Sequence, residues 1–147
     1  MDKFFGNLHL VLLVGLLAAI ALIFGVHHDA VSLNYVLRWL HVFFGILWIG
    51  LLYYFNFVQI PTMPKVPAEL KPGVSKYIAP EALFFFRWGA AFTVLTGLLV
   101  AYTTGAMPGY LVPALMLDAN YRLIGIGMWL ALIMAFNVWF VIWPAQK

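Results

Sequence analysis

The sequence predicts an all-α integral membrane protein of four transmembrane helices. Three observations carry that reading: four apolar runs of about 20 residues, a composition with 65% hydrophobic and only 9% charged residues, and prolines and lysines gathered between the runs. A run of that length crosses the ~30 Å hydrocarbon core as a helix rising ~1.5 Å per residue. With a mean hydropathy of +1.00, the bilayer is the expected solvent and partner. A formal charge of +3 on so apolar a chain reflects membrane topology, so no nucleic acid is expected. The absence of cysteine excludes disulfides, iron–sulfur clusters and covalently attached haem.

The first span covers residues 7–26. Lys3 and the apolar run after it have the outline of a signal peptide, but no polar mature domain follows, so the segment is expected to be retained as a first span. The second span covers residues 35–58, and the short connection between the two, with His27, His28 and Asp29, makes them an antiparallel hairpin. Residues 59–80 are polar and carry Pro61, Pro64, Pro67, Pro72 and Pro80, which predict a broken chain outside the bilayer. The third span covers residues 81–104. Residues 105–119, apolar with Gly and Pro, are expected to rest in the interface. The fourth span covers residues 120–143.

Lys3, Lys65, Lys71, Lys76 and Lys147 fall on one side, which the positive-inside rule makes cytoplasmic together with both termini. The setting expected is a bacterial inner (cytoplasmic) membrane, crossed several times. "GLLAA" from Gly15 and "GLLVA" from Gly97 are offset by 82 residues, and Trp48 with Phe55–Asn56 and Trp129 with Phe136–Asn137 by 81. Tandem duplication of a helical hairpin and coincidence account for these matches equally well.

Arg38, His41, Gly45 and Trp48 follow one another at spacings of three, four and three, on one face of the second span. A haem b site in a helix bundle needs an imidazole for iron, a small residue beside the porphyrin, an aromatic wall and a cation for the propionates. His41, Gly45, Trp48 and Arg38 supply these in turn, and Arg122, which the repeat register matches to His41, is a second candidate for the propionates. His28 is a candidate second metal ligand. A packing role stands beside each: His41 bonding a carbonyl and tying helices together, His27 and His28 lying in an interfacial loop. Arg87 reads as snorkelling to headgroups or holding an anion. Asn56 and Asn137 read as ties between helices, and Asp118 with Arg122 as a local pair.

"LRWLHVFFGILWIGLLYYFNFVQIP" from Leu37, "YIAPEALFFFRWGAAFTVLTGLL" from Tyr77 and "NVWFVIWPAQK" from Asn137 resemble the N-terminal membrane domain of bacterial membrane-bound urate oxidase (urate hydroxylase). The W-L-H-V run followed by G-x-x-W-x-G is also similar to the haem-binding membrane protoporphyrinogen oxidase. The first resemblance implies a membrane redox fold in which His41 and Arg87 matter. Typical members carry a cytochrome c domain that takes up electrons. This sequence holds no Cys-x-x-Cys-His, so the electron acceptor is expected on a partner such as a cytochrome c.

Two functions of different class follow. One is an oxidoreductase subunit, with haem b on His41 and no complete catalytic set of its own. The other is an accessory transmembrane subunit of a respiratory or photosynthetic complex, its polar residues serving packing. Transport of an anion through Arg38, Arg87 and Arg122 is a third reading, weakened by the lack of a broken-helix pair.

Overall fold

The computed structural model describes residues 5–27 and 32–145, and all regular structure among them is helical. Four helices are long and apolar enough to cross a membrane. His28 and Asp29, and with them the turn of the expected first hairpin, lie outside the described residues, as do Lys3 and Lys147. The chain divides into two units, Met1–Val36 and Leu37–Lys147.

The first unit holds helix α1, Leu8–His27. Asn7 begins it, its Oδ1 accepting the Leu10 N–H at 3.2 Å, which satisfies one of the donors left over in a first turn. No charged residue follows from Leu8 to His27, and the helix is apolar on every face, the pattern of a segment with no water along its length. Ser32 opens the next helix in the same way, its Oγ accepting the Tyr35 N–H at 3.4 Å.

Helix α2 runs Leu33–Lys65 and α3 runs Lys71–Thr103, 33 residues each. At ~1.5 Å per residue either is about 50 Å long, well beyond the hydrocarbon core. This corrects the expectation of a broken chain over residues 59–80: the non-helical part is confined to 66–70, which holds Pro67, while Pro61, Pro64, Pro72 and Pro80 sit within helical backbone. The reason is local. Helix α2 widens to a π-helix over Tyr54–Gln59, just before Pro61, and α3 is π-helical over Val74–Ile78, just before Pro80. A proline lacks the N–H that would bond the carbonyl four residues back, and its ring presses on that carbonyl. Here that carbonyl belongs to Phe57 or Lys76, within the wide turn, where bonds run to the fifth residue instead. The last long helix, α5, Arg122–Ala145, repeats the device: Val138–Ile142 is π-helical and Pro144 follows.

Helices α2, α3 and α5 share a core of Trp48, Phe86, Ala90 and Val138, with Leu52, Phe55, Trp139 and Ile142 packed around it. Small residues on α3 let α2 come close. A Cβ added at Gly89 would lie 3.3 Å from the Trp48 backbone nitrogen, so only glycine permits this approach without displacing main chain. The connection after α3 packs in part against α5, with Met107, Val112 and Met116 left exposed. It contains the short helix α4, Leu111–Leu115, whose Ala114 is fully buried, and a Cβ on Gly125 of α5 would strike the Ala114 carbonyl. Trp129 Nε1 donates to the Leu115 carbonyl at 3.0 Å, fixing α4 to α5.

Candidate functional site

A cavity of about 520 Å³ lies among α2, α3 and α5, within the range of sites for cofactors and small ligands. Arg38, His41 and Val42 bound it from α2, Thr93, Gly97 and Leu98 among others from α3, and Gly127, Met128 and Ala131 among others from α5. The walls are mostly apolar, and Arg38 and His41 are their only ordinarily ionised or basic groups.

His41 is held by three neighbours on α3. Its Nδ1 lies 2.9 Å from the Thr93 carbonyl oxygen and 3.4 Å from the Thr96 hydroxyl. A carbonyl only accepts, so Nδ1 carries the proton and donates, which leaves Nε2 with its lone pair. Gly97 supplies the floor: a Cβ there would lie 2.8 Å from His41 Cε1, so the ring occupies the space a side chain would need. The threonines cannot drift to other partners, because Thr93 Oγ1 donates to the Gly89 carbonyl at 2.7 Å and Thr96 Oγ1 to the Phe92 carbonyl at 2.6 Å. An imidazole fixed through Nδ1 to a carbonyl is the usual arrangement of a metal-bound histidine, with the other nitrogen presented for ligation.

Arg38, one turn before His41, donates to the Thr104 hydroxyl at 3.4 Å from the rim of the same cavity. The other residues expected at the site lie elsewhere. Gly45 faces the Thr93 methyl, and Trp48, 3% exposed, is in the core against Gly89; neither bounds the cavity. The face shared by His41, Gly45 and Trp48 is real, but close packing of α2 on α3 consumes its lower part. Arg122 is exposed at the start of α5 and is not a wall of the cavity. Asp118, paired with Arg122 in the sequence reading, accepts the Asn120 N–H at 3.0 Å and caps a turn. Asn56 donates to the carbonyl of Leu52 in its own helix, at 2.8 Å, rather than tying two helices together.

Thr93, Thr96, Gly97, Tyr110 and Met128 were not singled out from the sequence. For Thr93 and Gly97 a signal exists: Gly89, Thr93, Gly97 and Ala101 recur at every fourth position, the small-residue stripe of close membrane-helix packing.

His41 could ligate a metal or haem iron through Nε2, Arg38 could pair with an anionic group, and nothing lies within 4 Å of a Cβ built on Gly127. Among the described residues no group of three or more His, Cys, Asp or Glu could hold a bare metal ion.

A second feature lies toward the other end of α3. The Arg87 guanidinium sits 4.3 Å from the Trp143 ring centre, 5.4 Å from that of Trp139 and 5.9 Å from that of Phe84, while its Nε is buried with no hydrogen-bond partner. Aromatic faces are what hold this charge.

Comparison with protein-family models, curated proteins and solved structures found no match.

Proposed function

We propose that this chain is a multi-pass redox subunit of a bacterial inner membrane, related to the membrane domain of urate oxidase, whose three-helix cavity holds one b-type haem. Both termini and the basic tip between α2 and α3 lie on the cytoplasmic side in this reading, and electrons pass to a partner such as a cytochrome c. The bond from His41 Nδ1 to the Thr93 carbonyl carries the proposal, since it fixes the tautomer and leaves Nε2 available beside a largely apolar cavity. The haem supplies a one-electron couple when bound. The chain's own residues set its surroundings: His41 presents Nε2, Gly97 and Thr96 hold the ring, Arg38 balances the propionates, and the apolar walls keep water away. A duplicated-hairpin plan accounts for the wide turn and proline that close both α2 and α5.

The test is an absorption spectrum of the detergent-purified protein, oxidised and dithionite-reduced, beside His41→Ala and His41→Gly. A Soret band and a sharp reduced α-band, lost in both variants and restored to His41→Gly by added imidazole, is the expected result. A featureless spectrum from folded wild-type protein would sink the proposal.

The packing of the His41 ring on Gly97 favours a second reading, because that contact itself joins α2 to α3. In that reading the chain is an accessory subunit of a respiratory or photosynthetic complex. Stoichiometric copurification with such a complex, without haem of its own, distinguishes it.

A further inference from the structure

We infer that Met128 would supply the iron's second ligand alongside His41, an inference that rests on the haem reading above. A haem held by one histidine leaves a coordination position for another donor, and the cavity's own walls restrict the choice. Besides His41, only Tyr110 and Met128 among its lining residues carry an atom suited to iron, because a guanidinium has no lone pair to give. The Tyr110 ring is stacked on Tyr121 with centroids 5.6 Å apart and planes at 11°, and its phenol must lose a proton before it ligates well. Met128 needs neither a proton change nor a charged form. A thioether is a soft, neutral donor compatible with apolar walls.

Placement supports the same residue. Met128 is half-buried on α5 while Gly127 and Trp129 on either side of it are exposed, and His41 reaches the cavity from α2. The two donors therefore reach one cavity from different helices. Gly127, beside Met128, leaves free the volume a side chain would have taken. The competing role for Met128 is that of a pliable gap filler, which gives it no influence on the iron. Methionine in place of a second histidine raises a haem's potential, so the site would serve as an electron acceptor more readily than as a strong reductant.

The experiment compares wild type, Met128→Leu and Met128→His, each purified in detergent and titrated with hemin. It reads the near-infrared charge-transfer band of thioether-ligated ferric haem, the spin state, carbon monoxide binding by the reduced form and the midpoint potential. Wild type is expected to be low-spin with the band present and no carbon monoxide binding. Met128→Leu should keep its haem through His41, lose the band, become high-spin and bind carbon monoxide. Met128→His should remain low-spin without the band and with a lower potential, and it decides the matter if the leucine variant does not retain haem. A Met128→Leu protein that stays low-spin with an unchanged potential overturns the assignment and leaves the haem reading standing. Absence of a Soret band from wild type overturns both.

Discussion

Substituting Gly97 by alanine tests how tightly His41 is held, whatever occupies the cavity. The added Cβ would stand 2.8 Å from Cε1 and 3.1 Å from Nδ1, whereas ordinary contact begins at 3.4 Å, so the ring must retreat by about 0.6 Å. A retreat of that size along the Thr93 bond stretches 2.9 Å to about 3.5 Å, the limit of a hydrogen bond. Overpacking of this kind costs about 1–3 kcal/mol, and weakening a half-buried hydrogen bond adds about 1 kcal/mol. Alanine's greater helix propensity returns about 1 kcal/mol, leaving the variant less stable by roughly 1–3 kcal/mol. The assay is unfolding in mixed micelles followed by circular dichroism, paired with nitrogen NMR of the ring to read whether Nδ1 still carries its proton. Gly15→Ala in α1, where nothing lies within 4 Å, is the control. Wild-type stability together with an unchanged ring signal in Gly97→Ala would refute the clamp.

Three further predictions follow from neighbouring contacts. Gly89→Ala sets a Cβ against main chain of Trp48, which cannot rotate away, so it should destabilise by about 1–3 kcal/mol and lengthen spin-label distances between α2 and α3. In a double-mutant cycle, Arg87→Met and Trp143→Leu should couple by about 0.5–2 kcal/mol if the cation rests on that ring, and by nothing measurable if it faces headgroups only. Pro61→Ala restores an N–H at the end of the wide turn in α2; the π segment should shorten to α-helix, seen as a changed periodicity of spin-label accessibility beyond residue 60, and an unaltered periodicity would refute the proline's role.

The spans were legible because hydropathy is a bulk property: the start of α1 at Leu8 and the end of α3 at Thr103 fall within a residue of the apolar runs that predict them. The pairing of His41 with Arg38 was legible from helical spacing, which needs only one element. Gly45 and Trp48 share that face, yet spacing cannot say where a neighbouring helix covers it, and α3 covers it below His41. Met128 was silent because a methionine in an apolar run has no distinguishing pattern until another helix is brought beside it. The prolines of residues 59–80 misled for a different reason. A proline forbids one particular hydrogen bond, and a helix can change the bond rather than stop.

Those wide turns also alter how the helices are to be counted. Each contains an extra residue relative to a regular helix, so a projection drawn from His41 at ~100° per residue is out of phase once it passes the turn. Lys65 and Lys71 lie beyond the turns of their helices as seen from the cavity. Their bearings are therefore set by Pro61 and Pro80, not by the apolar faces of the spans. The basic tip has in effect its own angular origin: its surface can be re-sequenced without turning the faces that meet around His41, provided those two prolines are kept.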